Sequence, residues 1–217
     1  MIQPGCKVVF VGDSITDAGR ARPVGEGLFG ALGSGYVMQI DAMLQTLQPQ
    51  LRVRCVNQGI SGNTTRDLLA RWQTDVLDLK PDYVSLMIGA NDVWRRFDSP
   101  FQTEWSVADD EYRENLAKLI DLTLPHVKTM VLMTPFFVEP ARPGAEGDSM
   151  RQAMDRCGAA VRALSEDKRL PLVDSQAAVD RLLEHHHSSF IAWDRVHQNH
   201  IGSFAIAKAW MASLGLG

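Results

Sequence analysis

A chain of 217 residues with 45% hydrophobic and 22% charged residues has the length of one domain and the apolar content for a full core, which argues against a disordered chain. The net charge of −4 leaves no basic excess to neutralise phosphates, so neither nucleic acid nor an anionic membrane is expected as a partner. The opening Met1-Ile2-Gln3-Pro4-Gly5 lacks a basic and then apolar leader, and no apolar run approaches the ~18 residues of a membrane span, so a cytoplasmic location is expected. The cysteines Cys6, Cys55 and Cys157 are odd in number and widely spaced in apolar surroundings, the pattern of small buried hydrophobes rather than of disulfides or a metal centre.

The first apolar run, residues 8–11, breaks at Gly12-Asp13-Ser14-Ile15-Thr16 and sets a hydroxyl at the carboxyl end of a strand, where reacting groups collect in open α/β sheets. Residues 18–35 follow, with Gly19, Gly25, Gly27, Gly30, Gly33 and Gly35 beside Arg20, Arg22 and Glu26. This stretch is too glycine-rich for a helix and is expected to form a pocket wall or lid, with a self-packed surface loop as the alternative. A helix is expected over 34–47 and a second strand over 53–56, ending in Asn57-Gln58-Gly59-Ile60-Ser61-Gly62-Asn63. Leu68, Leu69, Trp72 and Val76 then share one helical face, with Thr64 and Asp67 spaced as an N-terminal cap.

A third strand over 83–88 leads into Gly89-Ala90-Asn91-Asp92, after which 98–110, with Phe101 and Trp105, reads as a pocket rim or a plain loop. Tyr112, Leu116, Leu119 and Ile120 mark a helix that Pro125 ends. Strands over 130–133 and 170–173, a helix over 148–167 and a terminal helix over 199–214 complete the chain. Strands alternating with helices predict a three-layer, doubly wound parallel sheet of about five strands with helices on both faces, flavodoxin-like, in a single domain over 1–217.

A serine hydroxyl needs a base to take its proton and donors to hold the oxyanion that its attack creates. Among the six histidines, His197 has the carboxylate spacing Asp194-x-x-His197, which lets a turn bring Asp194 to one ring nitrogen and leave the other for Ser14. Ser14, Asp194 and His197 are therefore the expected nucleophile, orienting acid and base. The strand order would deliver Gly59 and Asn91 to the same sheet edge, where the Gly59 N–H, the Asn91 amide and the Ser14 N–H form the expected oxyanion hole. Taken alone, each of Gly59 and Asn91 is more often just a turn residue, and position is what gives them value. His185, His186 and His187 point in different directions along a helix and read as a solvated helix end; no metal and no cofactor are expected.

These ordered blocks resemble those of the SGNH, or GDSL, hydrolase superfamily over nearly the whole chain. The wording around residues 17–23, Ser61-Gly62-Asn63-Thr64, Asn91-Asp92-Val93-Trp94-Arg95 and Ala192-Trp193-Asp194-Arg195-Val196-His197 is similar to intracellular bacterial acetylxylan esterases. The resemblance implies a metal-free serine esterase that removes O-acetyl groups from carbohydrates such as xylo-oligosaccharides. Asp13, Trp94 and Trp193 are its expected substrate-contacting residues, the tryptophans as stacking faces unless they are core aromatics. A lysophospholipase or thioesterase of the same superfamily and a non-catalytic sugar-binding module are the alternatives, and self-association is left open. Gln198 departs from the pattern, since many members carry proline after the histidine, and it is expected to loosen the turn that holds His197.

Overall fold

In a computed structural model, which describes residues 2–141 and 149–217, strands β1 (Lys7–Gly12), β2 (Arg54–Asn57), β3 (Tyr83–Met87), β4 (Thr129–Met133) and β5 (Leu172–Val173) form one parallel sheet in the order β2-β1-β3-β4-β5. β1 is buried from Val8 to Gly12 and β3 throughout, the near-continuous apolar pattern of strands covered on both faces. The fifth strand is shorter than expected: Pro171 has no N–H, so regular pairing begins only at Leu172.

The helices are α1 (Ser14–Asp17), α2 (Tyr36–Leu47), α3 (Thr65–Asp75), α4 (Ala90–Asp98), α5 (Asp109–Thr123), α6 (Met150–Lys168), α7 (Ser175–Leu183), α8 (Ser188–Ile191) and α9 (His200–Ser213). α2 and α7 pack on α9, whereas α5 packs on α3 and α6. Because parallel crossovers are right-handed as a rule, the β1-to-β2 connection with α2 and the later connections with α3, α5 and α6, which run the other way across the sheet, fall on opposite faces, and α7 and α9 join the layer of α2. Phe10 of β1 meets Tyr36 and Trp210 on the first face, and the Trp210 indole N–H donates to Ser85 Oγ of β3. Across the second, Trp72 Nε1 donates to Thr123 Oγ1. Thr64 and Asp67 form the expected capping box of α3. The expected start of α6 at Asp148 falls outside the described residues, and Ser149 caps the helix.

Beyond the four-residue helices α1 and α8, α4 and α7 are the helices that sequence periodicity missed among the described residues. Each is nine residues long, too short for apolar repetition to stand out. Asp174 does cap α7 by accepting the Ala177 N–H, a start signal present in the sequence. Residues 18–35 stay irregular except for one antiparallel bridge between Gly25 and Asn57. The fully buried Asn57 side chain pins this segment, since Nδ2 donates to Thr16 O (2.6 Å) and Leu32 O (2.8 Å) while Oδ1 accepts the Gly59 N–H (2.9 Å). Removing a buried partner costs about 1 to 3 kcal/mol for each group orphaned. Asn57→Ala should therefore lower the unfolding free energy by about 3 kcal/mol or more. Asn57→Asp should do nearly the same, because a carboxylate cannot donate to those carbonyls. Urea denaturation checks this, and a loss below about 1 kcal/mol for both variants would contradict it.

Candidate active site

In the order observed, the chain leaving β1 turns toward β2 and the chain leaving β3 turns the opposite way toward β4, so a crevice opens at the carboxyl ends of β1 and β3. Gly12 at the end of β1 pairs with Met87 at the end of β3, and the chain continues to Ser14 on one side of this crevice and to Asn91 on the other. A methyl group on Gly12 would lie 2.3 Å from both Met87 O and Thr16 Oγ1, so the turn that lifts Ser14 out of the strand closes only over glycine.

Ser14 Oγ lies 2.7 Å from His197 Nε2, and His197 Nδ1 lies 2.6 Å from Asp194 Oδ2, across a sequence separation of 183 residues between serine and histidine. The other Asp194 oxygen, Oδ1, accepts the Val196 and His197 backbone N–H groups at 2.9 and 2.8 Å, so one carboxylate shapes the turn and orients the ring. Burial pushes the Asp194 carboxyl up, but the His197 ring and these two N–H donors outweigh it and hold the group below the usual carboxylate range. Val138 N–H donates to Arg195 O and Asn199 N–H to Ile191 O, which tie the turn to the body of the protein. The Trp94 ring sits 5.8 Å from the His197 ring, centroid to centroid. Gln198 does not leave the turn loose, since its Nε2 donates to Ser203 Oγ in the first turn of α9.

Asn91, in the first turn of α4, is buried. Its Oδ1 accepts from Arg95 and its Nδ2 donates to Asn63 O (3.1 Å), which orients the amide and leaves one amide hydrogen without a partner among the described residues. The Ser14 N–H is likewise unpaired, being the first N–H of α1. Gly59 is not in this set. Its N–H is consumed by Asn57 Oδ1, and a Cβ there would come 2.2 Å from Asp17 N. Gly59 is glycine because two backbones meet behind Ser14, and its N–H, held by Asn57, is not free to donate to a bound group. The neighbouring candidate is Gly62, which sequence reasoning passed over. It lies at φ +86° in an exposed turn closed by Asn63 N–H to Ile60 O, its N–H has no partner among the described residues, and the next residue holds Asn91.

Asp13 is also displaced from its expected role. It is buried, and Oδ1 accepts the Ile15 N–H as the cap of α1, so it faces the interior rather than a substrate. Burial raises its pKa to about 7, and Asp92 nearby raises it further against the Ile15 N–H and His197. Trp193 is 85% exposed and Trp94 is half-buried, so neither is a core aromatic. Ser14, Ile15, Ala18, Ser34, Gly35 and His197 line a cleft of about 250 Å³, which makes the two ends of the 18–35 segment a pocket wall. Its tip, with Leu28 and Phe29 in solvent, takes no part in that wall. A second hollow of about 420 Å³ lies between Gly62, Arg95 and Trp105, which makes Trp105 a rim residue. A groove of about 650 Å³ between α7 and α9 touches none of Ser14, Asp194 or His197. His185 and His186 lie exposed beyond α7, and His187 caps α8. No group of three or more His, Cys, Asp or Glu residues placed to hold a metal occurs among the described residues, nor any helix long and apolar enough to cross a membrane.

Residues 10–203 match the model of the GDSL-like lipase/acylhydrolase family. The chain is 50% identical to an acetylxylan esterase of Geobacillus stearothermophilus, covering 99% of this chain and 96% of that protein. A crystal structure of an acetylxylan esterase from G. stearothermophilus superposes with a TM-score of 0.94 at 49% identity, covering 100% of this chain and 97% of that one. An alpha/beta hydrolase enzyme from the metagenome of Lake Arreo, Spain, does so with the same score at 51% identity, covering 99% and 97%.

Asp13 gives a pH signature. An unfolded Asp titrates near ~3.9, and the folded group at about 7, so the stability it contributes is full below the lower value and is lost as pH rises through the upper one. Asn at this position keeps the cap and cannot titrate. The stability of the natural protein relative to Asp13→Asn should therefore fall between about pH 4 and pH 7 and level off above. Unfolding free energies measured across this range test it, and parallel curves would show that Asp13 is not buried as a titrating acid.

Proposed function

The chain belongs to the GDSL-like lipase/acylhydrolase family, and from that premise we propose that it is a serine esterase that removes acetyl groups from carbohydrates, xylo-oligosaccharides among them, with Ser14, His197 and Asp194 carrying the reaction. The observation that bears most of this reading is the unbroken relay from Ser14 Oγ through His197 to Asp194 at 2.7 and 2.6 Å. Ser14 attacks the acetyl carbonyl as His197 Nε2 takes its proton, and Asp194 stabilises the imidazolium. The tetrahedral oxyanion faces Ser14 N–H, the free Asn91 hydrogen and Gly62 N–H. His197 returns the proton to the departing sugar hydroxyl, and water repeats the sequence on the acetyl-Ser14 ester to release acetate.

The small cleft at Ser14 supports an acetyl group over a long acyl chain, and the exposed Trp193 beside Asp194 offers an apolar face suited to a sugar ring. Residues 1–217 are read as one domain, in keeping with the single apolar core that both helix layers share.

Ser14→Ala should fold normally, lose roughly 10³-fold or more in kcat and cease to label with a fluorophosphonate; esterase activity in a clean preparation would remove Ser14 from the mechanism. Asn91→Ala should lose about 10²- to 10³-fold in kcat with KM little changed, because its bond strengthens only as charge develops. Initial rates on p-nitrophenyl esters should fall from acetate to butyrate, alongside release of acetate from acetylated xylo-oligosaccharides. A steady rise toward octanoate, as each buried methylene gains about 0.8 kcal/mol, would favour the lysophospholipase or thioesterase alternative.

A further inference from the structure

The peptide between Ser61 and Gly62 is the central peptide of the turn over residues 60–63. Gly62 has φ +86° while Ser61 is absent from the residues with positive φ, and Asn63 N–H closes on Ile60 O, so the turn is type II. Type I and type II turns differ by a flip of that central peptide, and the group that flips is the Gly62 N–H. With glycine in the third position the backbone itself opposes neither state strongly. A contact from outside the turn would therefore fix the plane of this peptide.

Asp17, three residues after the nucleophile, is placed to do so. Its Oδ2 accepts both the Ser61 N–H (3.0 Å) and the Ser61 Oγ–H (2.9 Å), and also receives Arg22 (2.6 Å). Its side chain is only 4% exposed, whereas Ser61 is exposed, so these bonds are not a by-product of core packing. Asp17 is itself fixed from behind, because its backbone abuts Gly59 and its N–H closes α1 on Asp13 O. Burial pushes the carboxyl up, yet the Arg22 and Ser61 hydrogen bonds hold it below the usual range, so it is the ionised acceptor that the turn meets.

We propose that Asp17 is a positioning residue for ester hydrolysis: by gripping Ser61 through two hydrogen bonds it locks the 61–62 peptide so that Gly62 N–H stays turned toward the oxyanion. The proposal rests on the reading of Ser14 as nucleophile and of Asn91 and Gly62 as oxyanion donors, and the experiment separates the two.

The test compares Asp17→Asn, Ser61→Ala, Ser61→Thr and Asn91→Ala on p-nitrophenyl acetate, together with inhibition by 2,2,2-trifluoroacetophenone. The ketone adds to Ser14 Oγ, the proton passes to His197, and the resulting oxyanion occupies the same donors. Asp17→Asn should lower kcat/KM about 10-fold or more and raise the ketone Ki by a matching factor, as loss of oxyanion alignment does. Ser61→Ala, which keeps the N–H bond, should shift both in step by a smaller factor, and Ser61→Thr, which restores the hydroxyl, should recover most of the loss. Thermal unfolding reports whether each variant is folded; should Asp17→Asn fail to fold, the exposed Ser61→Ala decides alone. Activity lost without loss of ketone affinity, or a folded Ser61→Ala with both constants unchanged, overturns the positioning role. If Asn91→Ala also leaves ketone affinity intact, the oxyanion reading itself falls; if only the Asn91 variant loses it, that reading stands and Asp17 is structural.

Discussion

The reacting edge depends on how closely two backbones approach behind Gly59. With no room for a Cβ against Asp17 N, the segment after β2 lies directly on α1, and the buried Asn57 carboxamide bonds to both sides of the seam. Ile60 N–H donates to Gly12 O and Arg20 Nε to Gly59 O, which adds the end of β1 and the 18–35 segment to the same assembly. Burial, with Arg22 nearby, lowers the Arg20 pKa to about 10, so a desolvated guanidinium is committed to three carbonyls here. Polar groups placed this deep are costly unless satisfied. Once satisfied they allow few alternative arrangements, which is what a nucleophile and its oxyanion donors require of their support.

The histidine arrives from the far end of the chain, so its placement needs a separate device. Asp194 supplies it by closing its own turn on the Val196 and His197 N–H groups before it meets the ring. Arg195 takes the left-handed conformation within that turn, at φ +70°, which is uncommon for a residue with a side chain. The Val138 N–H bond to Arg195 O then ties the turn to the body of the protein, and the Trp94 ring lies tilted at 54° beside the imidazole. At Gln198 the turn is held twice, upstream by the Asp194 bonds to the Val196 and His197 N–H groups and downstream by the Gln198 bond to Ser203.

Much of this was legible in the sequence because it is local. Strands follow from apolar runs, the cap of α3 from Thr64 and Asp67, and the Ser14, Asp194 and His197 set from a strand end and one spacing. The direction of a particular N–H is another matter. Gly59 and Gly62 are equivalent in a one-dimensional reading, and only the Asn57 side chain, folded back within its own loop, decides that the first faces inward. Asp13 misled for a similar reason: next to the nucleophile in sequence, it caps α1 and so points the opposite way. α4 carries Asn91 yet shows too little apolar repetition for a sequence reading to detect.

The exposure of the His197 and Asp194 side chains, 43% and 38%, decides which forces can matter at this site. A pair so open to water gains little from attraction alone, since solvent screens it and exposed ion pairs are worth about 1 kcal/mol or less. Its contribution has to be geometric, fixing the tautomer and the line from Oδ2 through the ring to Oγ. In the proposed mechanism, charge stabilisation then falls to donors that water does not compete for so freely, and Asn91, at 3% exposure, is the side chain of that kind. The division follows from the architecture: the sheet edge buries the donor side that strands β1 and β3 deliver, while the histidine sits on a surface turn that substrate must pass. In the proposed mechanism, a site built this way draws its rate from preorganised hydrogen bonds behind the carbonyl, and leaves the acid-base pair free to exchange protons with incoming water.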